Sequence, residues 1–131
     1  MNRWRDKRIG IDLDKCSEFT LLKTYFNATA MNCPVTVKRT RHGYHIRIFK
    51  KNSLKENFAV RRHLGDDANR IAWDEMKQRI GIVNLIDTLF ESKMESDGSI
   101  TVEQDHNLLA LPFLSRIPAL KKRNKQNRHN R

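Results

Sequence analysis

Apolar and polar residues alternate three times in the first half of the chain, and each alternation predicts a strand. Ile9, Ile11 and Leu13 alternate with Gly10, Asp12 and Asp14. In an extended chain these two sets point to opposite faces. The stretches 34–40 and 43–49 repeat the pattern, with Pro34 suited to open a strand. Arg41-His42-Gly43 between them reads as a turn, with Gly43 supplying a positive φ, so the two stretches form a hairpin. Between the first strand and the hairpin, Ser17 is a capping residue, and Phe19, Leu22, Phe26 and Ala30 recur at helical spacing. Residues 17–31 are therefore predicted to form a helix with those four on its apolar face.

Ser53 and Glu56 form a capping box for a second helix, with Leu54, Phe58 and Leu64 on its inner face and Gly65 as its stop. In "GDD", residues 65–67, the Gly ends this helix, Asp66 falls in a loop, and Asp67 starts the next element. The stretch 70–76 fits two periods. Ile71 and Trp73 alternating with Ala72 and Asp74 favour a strand near 69–75, and continuation to Gly81 also fits a helix. With the strand, the order is βαββαβ, the ferredoxin-like or RRM-like α+β arrangement: a four-stranded antiparallel sheet with two helices on one face. Its first and third strands are neighbours, and the fourth lies beside the first. Asp97-Gly98 then centres a C-terminal hairpin with a short strand at 100–104. The apolar, proline-containing stretch 108–120 is expected to pack irregularly on the body. Residues 1–115 thus read as a single domain with a C-terminal extension, and 116–131 as a tail.

Composition adds a partner class. The chain is 31% charged and 38% hydrophobic, so a small core carries a heavily charged surface. No apolar run approaches the roughly 20 residues that span a bilayer. The basic N-terminus is not followed by the apolar stretch of a signal peptide, so a soluble, intracellular protein is expected, with no membrane partner. Cys16 and Cys33 are too few for a disulfide scaffold and too far apart for a zinc knuckle, and they read as packing thiols. Formal net charge is +11, and residues 116–131 carry seven basic residues, including Lys121, Lys122, Arg123 and Lys125, with no acid. Such a tail is predicted to be disordered and to contact the phosphates of DNA or RNA.

Strand parity collects the remaining chemistry on the face away from the helices. Asp12, Asp14, His45 and Asp74 fall there, surrounded by Lys38, Arg47 and Arg70. Carboxylates two residues apart on a strand can share Mg²⁺ or Mn²⁺, which in turn coordinates phosphate oxygens. Lys and Arg around them would hold the rest of a polyphosphate. The alternative is an ordinary charged sheet face with Arg–Asp pairs. Trp4 is either a packing anchor or a stacking residue, Tyr25 is expected in the core, and Phe49 sits at a strand end, where it packs on the rim or stacks a base.

The stretches "IGIDLD", "RTRHGYHIRI" and "RIAWD" resemble, in that order, the three signature motifs of the archaeo-eukaryotic primase superfamily. The resemblance covers residues 8–76. It implies an RNA-recognition-like palm in which Asp12, Asp14 and Asp74 hold divalent cations. Thr40, Gly43 and His45 match the second motif, whose His contacts nucleotide phosphates. It further implies primase-like nucleotidyl transfer, nucleoside triphosphates as ligands, and a small protein of an archaeal virus or plasmid, acting in the host cytoplasm. This chain departs from the family in length, in compressed spacing between motifs, and in Thr40 where Ser is usual. The alternatives are a non-catalytic nucleic-acid-binding module, or a viral structural or assembly protein that pairs with a copy of itself or with a partner chain.

Overall fold

A computed structural model describes residues 3–106 and residue 108. The elements are β1 (Ile9–Asp14), α1 (Glu18–Thr29), β2 (Val35–Arg39), β3 (Gly43–Ile48), α2 (Leu54–Leu64), α3 (Ala68–Ile80), a 3-10 turn (Val83–Leu85), β4 (Ser92–Met94), β5 (Ile100–Val102) and β6 (Gln104–Asp105). The fold is α+β, with an antiparallel sheet in the order β1-β3-β2-β6 and a separate β4–β5 hairpin. This arrangement is compatible with a ferredoxin-like fold through α2. Beyond α2 the chain departs from the expectation.

The stretch 70–76 is helical, not a strand. Asp67 accepts hydrogen bonds from the amides of Asn69 and Arg70, and Gly81 closes the helix in the left-handed region at φ 86°. A good cap at each end overrides the short alternation inside. The helical period puts Ile71 and Asp74 on the buried side and turns Trp73 outward, 62% exposed rather than in the core. The fourth strand of the sheet is β6 instead, and it pairs with β2 on the edge opposite β1.

No strand lies outside β1 among the described residues; side chains seal that edge instead. The Gly10 amide donates to Asp87 Oδ2 at 2.8 Å and the Asp12 amide to Asp66 Oδ1 at 2.7 Å. Arg70 Nη1 donates to the Gly10 carbonyl at 3.0 Å. These groups belong to a buried network. Arg61, fully buried, reaches Asp66 at 2.7 Å, Asp74 at 2.8 Å and the Asn57 carbonyl oxygen at 3.1 Å. Arg70 joins Asp66 at 2.8 Å to Asp87 at 2.5 Å, and Asn57 donates to Asp87 at 2.7 Å. Buried carboxylates persist only with such partners.

The main core lies between the sheet and helices α1 and α2. It is built from Ile9, Ile11, Leu13, Val37, Ile46 and Ile48 of the strands with Leu21, Leu22, Ala28 and Leu64 of the helices. The inner face of α1 is rotated from the expected one: Phe19 and Phe26 are 73% and 51% exposed. Tyr25 and both free cysteines are partly buried against this core. A second cluster of Phe58, Ile71 and Ile86 sits beneath α2 and α3. Trp4 anchors there, its indole donating to the Asn52 carbonyl at 3.0 Å. In the capping box, Ser53 accepts from the Glu56 amide, whereas the Glu56 carboxylate turns to Lys50 at 2.6 Å. No described helix is long and apolar enough to cross a membrane.

Two glycines are fixed by space. Gly43 does not have the expected positive φ. It is required because a Cβ there would lie 1.8 Å from the Leu13 carbonyl oxygen. At Gly10 a Cβ would lie 2.7 Å from both Asp87 Oδ1 and Leu89 Cδ1, so glycine lets the sealing carboxylate reach the strand. Gly10→Ala is expected to cost about 1–3 kcal/mol through this overpacking. Urea denaturation checks it; an unchanged midpoint would mean that Asp87 and Leu89 yield freely.

Candidate phosphate-binding cleft

The β1–β3 register sets Asp12 opposite His45 and Asp14 opposite Gly43, and the β2–β3 register sets Lys38 opposite His45. Asp12, Asp14 and His45 lie at the floor of a cavity of about 740 Å³ bounded by the sheet, α3 and the β4–β5 hairpin. Asp12, Asp14, Thr40, His45, Arg70 and Asp74 all line it, so the residues of the three motif-like stretches converge although the third stretch is a helix. Lys93 and Arg41, the latter paired with Glu95 at 3.3 Å, add positive charge to its walls, and His42 adds an imidazole. Trp73, Leu85, Leu89 and Phe90 form its apolar side, where Trp73 and Phe90 are 62% and 72% exposed.

Several predicted site residues are already engaged. Asp74 is buried, with one carboxylate oxygen on Lys77 at 3.2 Å and the other held by Arg61 and by the Asp87 amide at 3.0 Å. The three-carboxylate cation site implied by the primase resemblance therefore does not fit. Among the described residues, no three of His, Cys, Asp and Glu are grouped to hold a metal ion. Asp12 and Asp14 remain as a pair. The Asp14 side chain makes no hydrogen bond or ion pair with the described residues and is exposed. Two carboxylates suit a Mg²⁺ whose other ligands come from a polyphosphate. Arg70 is tied to Asp66 and Asp87; burial works against its charge, but those carboxylates outweigh burial and raise its pKa. Lys38 pairs with Asp105 at the far edge, outside the cleft. Lys121, Lys122, Arg123 and Lys125 lie outside the described residues, as do the tail and most of the 108–120 stretch.

Glu103, between β5 and β6, organises the floor and had no local signal in the sequence. Its carboxylate accepts from Arg47 Nη1 at 2.8 Å, Arg47 Nη2 at 3.1 Å and His45 Nδ1 at 2.8 Å. The other His45 nitrogen stands 3.6 Å from Asp12 Oδ1, so the ring bridges two carboxylates. Burial pushes the Glu103 carboxyl up, but the hydrogen bonds and charges of Arg47 and His45 outweigh it and hold the group below an ordinary glutamate. Asp12 moves the other way. Burial raises its carboxyl above an ordinary aspartate, helped by Asp66 and Asp67 and opposed by His45 and Arg70.

No family model matches the chain, and no solved structure matches it. A protein of an archaeal virus, "Uncharacterized protein ORF116" of Acidianus filamentous virus 2 (isolate Italy/Pozzuoli), is 32% identical over 82 residues. The match covers 63% of this chain and 70% of that protein. The chain belongs to the ORF116 family. In this member of the ORF116 family, sequence reasoning missed three residues that shape the site: Asp66, Asp87 and Glu103. Asp66 was visible in "GDD" but read as loop; its role depends on where α3 carries Arg70. Asp87 adopts a positive φ of 57°, which no neighbouring residue type announces.

Proposed function

We propose that the cleft binds the phosphates and bases of a nucleotide or nucleic-acid strand. One observation carries this reading: exposed Trp73 and Phe90 line the same cavity as Asp12, Asp14 and His45, with Arg41, His42 and Lys93 around them. Aromatic faces stack bases, and each stacked base contributes about 1–3 kcal/mol. Arg41 and Lys93 attract phosphate oxygens, and the His45 ring offers a hydrogen-bonding nitrogen at the floor. Asp12 and Asp14 would receive a divalent cation carried by a polyphosphate; when bound, it neutralises phosphate charge beside the two carboxylates. The role is binding: primase-type nucleotidyl transfer would need a third carboxylate beside Asp12 and Asp14, and Asp74 is held instead by Arg61 and Lys77. Kinship with a protein of an archaeal virus supports a viral setting for this role.

Trp73→Ala is expected to weaken binding of a short single-stranded oligonucleotide by about 1–3 kcal/mol. Trp73 and Trp4 are the two tryptophans, and only Trp73 lines the cleft, so binding should quench intrinsic fluorescence in wild type and not in Trp73→Phe. Quenching that persists in Trp73→Phe would move the site elsewhere. For the cation pair, the Asp12→Asn, Asp14→Asn double variant is expected to lose the Mn²⁺-dependent part of nucleoside triphosphate binding. Calorimetry with and without Mn²⁺ checks this, and equal metal dependence in both proteins would remove the pair from the site.

One observation favours the second reading, self-association. Trp73, Met76 and Ile80 recur on the outer side of α3 and are all exposed. A monomer at high concentration by sedimentation would exclude that reading.

A further inference from the structure

We propose that Arg47 and His45 form a phosphate seat at the centre of the open sheet face. Glu103 fills this seat as an internal stand-in, and a single-stranded oligonucleotide displaces it to run across the whole face. This rests on the cleft reading above and extends it from one cavity to a groove.

The contacts made by Glu103 are those of a bound anion. Arg47 presents two parallel N–H groups to its two oxygens at 2.8 and 3.1 Å, and His45 Nδ1 adds a third donor at 2.8 Å. That fork fits a phosphate as well as a carboxylate. Arg47 and Glu103 side chains are only 6% and 7% exposed, so the seat is shielded from water and its hydrogen bonds are strong.

Glu103 also stands on a divide. The large cavity and a smaller one of about 350 Å³ both have Val102 and Glu103 in their walls. The smaller cavity repeats the chemistry of the larger: Arg8 and Lys38 supply positive charge, Thr36 a hydroxyl, and Phe49, 42% exposed, an aromatic face. Lifting Val102–Glu103 would join the two into a groove from Trp73 and Phe90 on one side to Phe49 on the other, with Arg47 and His45 between.

The backbone pairing of the strap that carries Glu103 is short, and side chains supply most of its hold: Arg47 and His45 on Glu103, Arg39 on Gln104 at 3.2 Å, and Lys38 on Asp105. β4 and β5 have three residues each, and β6 pairs with β2 at only two positions, Lys38–Asp105 and Arg39–Gln104. The Glu103 amide adds one hydrogen bond to the Glu91 carbonyl at 2.8 Å. Short strands of this kind open at low cost compared with global unfolding.

The test compares the full-length wild type with Glu103→Gln, using a fluorescein-labelled oligothymidylate of about ten nucleotides, within the usual site sizes for single strands. Glu103→Gln keeps the shape of the strap and removes the charge that competes for the seat. It is expected to bind the oligonucleotide about tenfold more tightly, since a like charge at a phosphate seat is strongly unfavourable. Equal or weaker oligonucleotide binding by Glu103→Gln overturns the proposal while leaving the cleft reading intact if wild type binds. If neither protein binds, the cleft reading fails and the seat fails with it. Should the variant not fold, NMR of wild type decides: saturating oligonucleotide must shift the Glu103 carboxyl carbon and the Arg47 Nε–H signals. Signals that stay in place overturn the seat.

Discussion

Arg61→Ala is expected to remove roughly 3–5 kcal/mol of stability, the cost of breaking a buried ion network by deleting one partner. Against a total of about 5–15 kcal/mol for a domain of this kind, such a loss brings the protein close to unfolding. Arg61 is fully buried, and its guanidinium serves Asp66, Asp74 and Asn57 together. Its removal takes the central cation from two buried carboxylates, leaving Asp66 to Arg70 and Asp74 to Lys77. Those carboxylates hold the backbone in turn: Asp66 takes the Asp12 amide and Asp74 the Asp87 amide. The neighbouring Arg62 is the control. It pairs with Glu75 at 2.5 Å, but both side chains are about half exposed, so Arg62→Ala should cost under about 1 kcal/mol. Urea denaturation of both variants reads the contrast, and similar losses would show that the network around Arg61 is peripheral.

The second large effect concerns salt. Replacing Lys121, Lys122, Arg123 and Lys125 by Gln removes four of the seven basic residues in 116–131. If each neutralises one phosphate of a single strand, the slope of log affinity against log salt should flatten by about 3. The loss of affinity should therefore be large at low salt and shrink as salt rises. Anisotropy titrations across a salt series measure the slope. A slope identical to wild type would assign nucleic-acid contact to residues other than these four. Trp73→Ala behaves differently, because stacking carries no counterion release; it should lower affinity without changing the slope.

These two experiments separate what the sequence made legible from what it hid. The three early strands and their inward parity could be read because alternation over five or six residues has one interpretation when one face is buried. The same parity puts Asp12 beside His45, and the β1–β3 register sets the two opposite each other. The stretch 70–76 could not be read that way. Ile71 and Trp73 suit a strand, and only the caps Asp67 and Gly81, lying outside the short window, select the helix. Asp74 then moved from a presumed cation ligand to a buried partner of Arg61. Parity put Arg47 on the face away from the helices, but it is buried there, and Glu103, 56 positions later, neutralises it. Pairings of that sequence separation leave no local trace, which is why the closing contact of the site was found only in three dimensions.

The sealed edge of β1 has a consequence for how this molecule meets other chains. A sheet normally recruits further strands through its unpaired amides and carbonyls, whether from a ligand peptide or from a second copy. On the β1 side, an incoming strand would have to compete with the carboxylates of Asp66 and Asp87 and with the Arg70 guanidinium, and so dismantle the interior of the protein that accepts it. On the opposite edge, among the described residues, β6 is two residues long and pairs with only Lys38 and Arg39 of β2. Growth of the sheet is therefore blocked by chemistry at the β1 end, and an added strand is directed to the β2 side.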